Sequence, residues 1–477
     1  MPKTMSTRAW ALLLVLSGTI FLEGIDIAML AVAIPSIRSD LELPTDTAAW
    51  VMSAYVLGYA GFTLLGGRAA DLLGRRRMFL AWLAVFLVFS SLGGFATEGW
   101  MLIVARFVTG VAAAFMTPAA MSIITTSYAE GPQRNKALLV FAGTAAGGFS
   151  LGLVIGGVLT AIGWRWVFFA PVVLAGALLA AAVRIVPAEG PRPVRTKKDF
   201  DLLGAAAAAG AMLLLAYGIV RLEHGTRGWE LTLAAVLAGL ALIGGFVAVE
   251  RRTVVPLVRL GIFRTGSVVR AGLGAMLFVG AFFGFQFVAT LYLQELRGWS
   301  STQTAFALFV LGLDAVLAPT LTPRLVARYG NTRVILGGFV AAVLAYGAFL
   351  QVGLEWSYAA MFPVFALVGT AFALAYGPLT IAATDGVAEE EQGLAGGLLN
   401  TATQFGSAVG ISAVTAVYGL ALPAGDASPG ETLDAFRAAL AVPLTMVVLG
   451  AAVTAYGLRG RRTEEAPAAE IRQPVRG

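Results

Sequence analysis

Two carboxylates lie where a carboxylate is costly. Glu23 and Asp26 interrupt the apolar run Ile20-Phe-Leu-Glu-Gly-Ile-Asp-Ile-Ala-Met-Leu30, three positions apart, so a helix would place them on one face. Two neighbouring acids in low dielectric cannot both ionise cheaply, and a pair that takes up and releases one proton is what a proton carrier needs. Asp26 is the leading candidate and Glu23 its companion; a buried acid held structurally by an arginine is the plainer alternative. Arg106 is the one arginine deep in an apolar run, and burial requires a carboxylate partner for it. The sequence does not say which. Asp314, in Leu311-Gly-Leu-Asp-Ala-Val316, has no partner near it in sequence and is a candidate proton or substrate-cation site. Among uncharged groups, Gln286, Asn400 and Gln404 either line a cavity or hydrogen-bond between helices; Asn400 and Gln404 are four apart and share a face. Phe282, Phe283, Phe285 and Phe287 surround Gln286. They read either as the wall of a pocket for a flat lipophile, Phe283 included, or, more commonly, as lipid-facing side chains.

These groups must be held by membrane helices. Of 477 residues, 58% are hydrophobic and 13% charged, with a mean hydropathy of +0.83; soluble domains are nearer a quarter charged. About 20 apolar residues cross a bilayer, so the chain is long enough for a dozen or more spans and leaves little for a soluble domain. There is no cysteine and a single histidine, His224, in a joint, which excludes disulfides, thiolate metal sites and a multi-histidine metal centre. No GxxxxGK[ST] phosphate loop occurs, so ATP is not expected to drive the protein, and no enzyme mechanism is expected.

Apolar runs are expected at 9–35, 46–67, 78–97, 100–127, 135–162, 166–186, 201–221, 230–250, 267–294, 303–322, 333–353, 356–383, 392–422 and 434–457, fourteen spans in all. The joints on the side of residues 1–8 carry most of the Arg and Lys, among them Arg75, Arg76, Arg77, Arg134, Lys136, Arg195, Lys197, Lys198, Arg251, Arg252, Arg264, Arg324 and Arg328. That side is therefore expected to be cytoplasmic, with both termini inside, as an even count requires. The net charge of +6 is then a topology signal and a contact with anionic headgroups, not a nucleic-acid footprint.

The joint after the second span, Gly67-Arg-Ala-Ala-Asp71-Leu-Leu-Gly74-Arg75-Arg76-Arg77, resembles the one after the tenth, Pro323-Arg-Leu-Val-Ala327-Arg-Tyr-Gly330-Asn-Thr-Arg333. Two related joints mean an internal duplication. A lone acid among arginines, lost at Ala327 in the second copy, suits a latch between halves; the plain reading is a basic retention loop. Gly148, Gly152 and Gly156 repeat every four residues, with Gly157 beside them, and small residues at that spacing let helices pack closely.

With these motifs in place, the chain resembles the major facilitator superfamily over nearly its whole length, and within it the fourteen-span drug:proton antiporter branch. Gly67–Arg77 resembles the signature loop, Leu102-x-x-x-Arg106-x-x-x-Gly110 the fourth-helix motif, and Asp26 with Ala33-Ile34-Pro35 the first-helix motif. Trp50 and Tyr55 fit the same branch. Gly148-x-x-x-Gly152-Leu153-x-x-Gly156-Gly157 is similar to the antiporter motif, with Leu153 where the family has proline. A proline would kink the helix, so a straighter fifth helix is expected here.

The resemblance implies an all-α membrane protein: a six-helix bundle at 1–186, a linker and two-helix insertion at 187–265, a second bundle at 266–458 and a tail at 459–477. It implies alternating access, proton coupling through Glu23, Asp26, Arg106 and Asp314, and a substrate site including Asp26, Tyr55, Phe283, Gln286, Asn400 and Gln404. Gly67, Asp71, Gly74 and Arg75–Arg77 would form the latch. The expected task is export of lipophilic small molecules, cations among them, from a bacterial plasma membrane by a monomer, with protons as coupling ion and no other cofactor. An importer of a small metabolite on the same fold is the alternative, and a non-transporting receptor a more distant one.

Overall fold

The computed structural model describes residues 5–43, 45–188, 202–221, 229–253, 258, 260–388, 391–423 and 428–465. Arg195, His224, the centre of the linker and the end of the tail lie outside these.

The chain is helical throughout its described elements. The first half holds α1 (Thr7–Asp40), α2 (Thr45–Leu73), α3 (Arg75–Gly94), α4 (Gly99–Ser127), α5 (Pro132–Ile162) and α6 (Trp166–Ile185). Then come α7 (Leu202–Arg221) and α8 (Trp229–Glu250). The second half has α9 (Gly266–Leu291), α10 (Ser301–Leu308), α11 (Asp314–Thr320), α12 (Thr322–Tyr329), α13 (Asn331–Phe349), α14 (Tyr358–Thr384), α15 (Gln392–Ala421) and α16 (Pro429–Glu465). Among the described residues, twelve helices are long and apolar enough to cross a membrane. Backbone groups satisfied within each helix are what a bilayer demands. Their outer faces are apolar: Leu231, Leu233, Leu237 and Leu240 of α8 are all exposed, as expected of a surface against lipid.

Each half is knitted by small residues. On α5, a Cβ at Gly148 would lie 2.6 Å from the Phe21 carbonyl, at Gly152 2.8 Å from Ile25 Cα, and at Gly156 2.7 Å from Met29 Cα. All three press onto α1, which therefore packs backbone to backbone. Gly157 does not join this seam. It faces the second half, where a Cβ would meet only Thr302, at 4.0 Å. The α5 helix runs unbroken through Leu153. The pairing α1–α5, α2–α4, α3–α6 recurs as α9–α15, α11–α14, α13–α16, a repeat that matches the two related joints. Gly280 and Gly284 of α9 meet the backbone of Gly406 and Gly410 of α15.

The tenth run is one of the candidate spans, Thr302–Thr320, but it is not a uniform α-helix. A 3-10 turn at Phe309–Leu313 separates α10 from α11, and α12 follows Leu321. Gly312 adds flexibility, and Pro319 and Pro323 each remove a backbone donor. Gly369 of α14 leaves a notch for the turn: a Cβ there would sit 2.6 Å from the Leu311 carbonyl. Asp314 is the first residue after the break.

Candidate functional site

The α1 helix buries both acids, but gives them different partners. Asp26 Oδ2 accepts from Arg106 Nη1 on α4, and the pair is almost fully enclosed. The Arg106 guanidinium lies 4.5 Å from the centre of the Tyr55 ring. Gly110, one turn on from Arg106, lets α4 approach α2, since a Cβ there would stand 3.0 Å from Tyr55 Cα. Glu23 instead accepts from the Tyr59 hydroxyl at 3.1 Å through Oε2, and from the Thr117 hydroxyl through Oε1. The sequence pairs the acids by proximity; the structure separates them into an ion pair and a hydroxyl-bonded carboxyl. Desolvating the ion pair is costly and is repaid only by its close geometry.

Between the halves lies a cavity of about 110 Å³. Glu23 and Tyr59 line it from the first half, and Gln286, Asn400 and Gln404 from the second. Its aromatic wall comprises Phe149, Phe282, Phe283, Phe372 and Tyr376. Phe149 and Phe283 meet edge-on across the two halves at 5.7 Å, and Phe282 lies 4.6 Å from Phe372. The lipid-facing reading of this phenylalanine cluster is corrected. Phe282 lines the cavity, Phe285 is fully buried against Tyr346 at 4.8 Å, and Phe287 packs on the core. They turn inward because α9 is enclosed by α14, α15 and α16. Gln286 Oε1 is buried and has no hydrogen-bond partner among the described residues, so this acceptor is open to a ligand. Pockets for drug-sized ligands run to roughly 300–1,000 Å³, so the cavity in this conformation is smaller than such a ligand needs.

The structure thus brings together Glu23, Phe283, Gln286, Asn400 and Gln404. It leaves Asp26 and Tyr55 behind the wall, outside the cavity lining. Asp314 is also elsewhere: fully buried, on α11 against α5, where a Cβ at Gly143 would be 3.2 Å from the Asp314 carbonyl. No side chain among the described residues donates to its carboxylate. Sequence reasoning missed Tyr59, Thr117, Phe149, Phe372 and Tyr376. Tyr59 carried a signal, being one turn beyond Tyr55 on the same face of α2.

The two halves also meet at the loop that ends α2, against the start of α15. Asp71 Oδ1 accepts from the Gly393 amide at 3.2 Å and Oδ2 from the Leu394 amide at 3.1 Å. These are orphan donors at the start of α15, where the helix dipole also favours negative charge. Arg75 Nε is 3.6 Å from Oδ1. Gly67 touches the Gly393 backbone directly, leaving no room for a side chain. Gly74 adopts φ 108°, a conformation glycine takes readily, and the chain turns there into α3. Burial pushes the Asp71 carboxyl up to about 6, against the opposing pull of Arg75 and the two amides. Arg76 donates to the Val183 carbonyl at 2.8 Å, so of the three arginines only Arg77 is exposed. In the second copy, Gly330 keeps the turn (φ 83°) while Ala327 has nothing to accept with.

Two halves of repeated helix pairs, with a cavity between them and a contact across the divide at Asp71, define a multi-pass membrane carrier rather than an enzyme. The chain belongs to the Major Facilitator Superfamily, whose family model matches residues 16–411. It is 32% identical to the puromycin resistance protein of Streptomyces alboniger, over 96% of this chain and 93% of that one. It is 35% identical to the cephamycin export protein of Amycolatopsis lactamdurans (87% and 86%), and 31% to the lincomycin resistance protein of Streptomyces lincolnensis (86% and 85%). The human organic anion transporter MFSD10 superposes with a TM-score of 0.62 at 16% identity, covering 93% of this chain and 97% of that one; that likeness speaks to the fold.

Proposed function

We propose that this protein exports antibiotic-like lipophilic small molecules from the bacterial cytoplasm or inner leaflet in exchange for protons. It does so by alternating access of two six-helix bundles, 1–186 and 266–458. On this reading α7 and α8 form an inserted pair of spans and bring the count to fourteen. Both termini and the Asp71 seal are cytoplasmic, following the arginine-rich joints. The protein works as a monomer, with protons as its only coupling ion and no ATP. The relatives named for puromycin resistance, cephamycin export and lincomycin resistance support the task.

The observation that carries the mechanism is that Glu23 lines the cavity while Asp26 is paired with Arg106 behind it. A carboxyl that faces the substrate can trade a proton for it. Open to the outside, Glu23 takes up a proton, and the substrate it held leaves. After the halves rock and the Asp71 seal opens, Glu23 loses its proton to the cytoplasm and the cavity binds substrate again. Tyr59 and Thr117 hold the carboxyl in place through the cycle, and the Asp26–Arg106 pair sets the field around it. Asp314 is a second buried acid available to the coupling. Phe282, Phe283, Phe372 and Tyr376 supply apolar area and π-faces for a flat ligand, with Gln286, Asn400 and Gln404 as its polar contacts.

The test is transport by the purified chain in proteoliposomes, with puromycin as probe and an imposed pH gradient. Puromycin accumulating against its gradient on the acidic side supports the reading. Accumulation on the alkaline side would mean import by symport, and movement only down the puromycin gradient would mean a facilitator.

A further inference from the structure

A second cavity lies between α7 and the second bundle. Its volume is about 360 Å³, larger than the central one. Met212 and Leu215 of α7 form one wall, and Gly272 and Met276 of α9 with Leu398 and Phe405 of α15 the other. The lining is apolar apart from Thr401, whose hydroxyl already donates to the Gly397 carbonyl at 2.8 Å. The groove therefore offers no free polar group and fits hydrocarbon. Along α9 it extends from Val268 to Met276, roughly 12 Å at the helical rise, a length suited to part of an acyl chain.

The mouth is basic. Phe263 lines the groove at the end of the short 3-10 helix Leu260–Arg264, and Arg264 beside it is exposed. Arg270, next to the lining residue Val269, folds back along α9: a Cβ on Gly266 would sit 2.7 Å from its Nη1. Two arginines, Arg264 and Arg270, thus flank the start of α9, next in sequence to the lining residues Phe263 and Val269, and guanidinium groups bind phosphate well.

The groove also sits on a moving boundary. The α7 helix is attached to the first half, with Leu213 against Gly61 and Tyr217 stacked on Trp50 at 5.8 Å. The α9 and α15 helices belong to the second half. When the halves rock, α7 travels with α2 and the groove changes width. Whatever fills it favours the conformation in which it fits.

We propose that this groove is a binding site for an anionic phospholipid of the cytoplasmic leaflet. One acyl chain lies between α7 and α9–α15, and the phosphate rests on Arg264 and Arg270. The leaflet assignment and the movement of the halves rest on the reading given under Proposed function; the groove and its charge do not.

The test is native mass spectrometry of the full chain, released from vesicles of equal phosphatidylglycerol and phosphatidylcholine. The wild type is expected to retain phosphatidylglycerol several-fold over phosphatidylcholine. Gly272→Leu puts a side chain into space with no heavy atom within 4 Å, so it fills the groove without straining the fold; it should lose both lipids. The double variant Arg264→Gln/Arg270→Gln should lose the preference and keep phosphatidylcholine. Equal retention of the two lipids by the wild type, or undiminished phosphatidylglycerol on Gly272→Leu, overturns the proposal. So does a result in which Gly272→Leu abolishes binding of the lipophilic cation tetraphenylphosphonium while phosphatidylglycerol stays, which would make the groove a substrate portal. Retention is read without gradient or transported substrate. Its failure therefore leaves the transport reading standing, and an uncoupled protein leaves the lipid result standing.

Discussion

The Tyr59 hydroxyl donates to Glu23 across the α1–α2 contact at 3.1 Å, and both side chains face the central cavity. This places a protonatable group and the hydroxyl that holds it on the wall of the cavity. Asp26, one turn away, is committed to Arg106. The two acids should therefore fail in different ways when altered.

Asp26→Asn leaves the Arg106 guanidinium buried without its counter-charge. Breaking a buried pair from one side costs roughly 3–5 kcal/mol, so the variant should show a much lower unfolding midpoint in detergent. Asp314→Asn removes no side-chain hydrogen bond among the described residues and should leave that midpoint unchanged or higher. Similar losses at both positions would show that Asp314 has a partner as firm as Arg106.

The seal at the α2–α15 contact should respond to acid with a definite sign. Asp71 sits at about 6 in the sealed state, above the ~3.9 of a solvated aspartate. The sealed state therefore binds the proton more tightly, and lowering the pH through 6 favours closure. Spin labels spanning the α2 and α15 ends should report more of the short distance at about pH 5.5 than at about pH 7.5. Asp71→Ala exposes two unsatisfied amides, costing about 1–3 kcal/mol. It should shift the population toward the long distance and abolish the pH response. A wild-type shift in the opposite direction contradicts the assignment.

Much of this was legible in the sequence. The helices follow from apolar runs, the duplication from two related joints, and the α5 seam from Gly148, Gly152 and Gly156. Contacts between residues far apart in the chain were not legible. Arg106 needed an acid, but nothing local chose Asp26, 80 residues away, over Glu23. Asp71 stood out as a lone acid among arginines, yet the amides it accepts from are 322 and 323 residues distant. The phenylalanines around Gln286 stayed open between two readings because periodicity cannot tell a lipid face from a cavity face when both are apolar. The break before Asp314 depends on the Gly369 notch in another helix.

The α1–α5 seam supplies a matched pair of substitutions. Gly152→Ala drives a Cβ to 2.8 Å from Ile25 Cα, whereas Gly157→Ala meets only Thr302 at 4.0 Å. The first should destabilise by about 1–3 kcal/mol, as overpacking does, and lower the unfolding midpoint. The second should behave as wild type. Equal tolerance of both would mean that α5 does not pack on α1 as described.

The central claim is that the proton moves on Glu23. Proteoliposomes holding Glu23→Gln, loaded with puromycin and given an imposed pH gradient, test it most directly, provided the variant's unfolding midpoint matches wild type. A permanently neutral side chain should abolish gradient-driven accumulation while puromycin exchange without a gradient continues, because exchange needs only the cavity and the rocking of the halves. Full gradient-driven accumulation by Glu23→Gln would contradict the account and return the proton to Asp26 or Asp314.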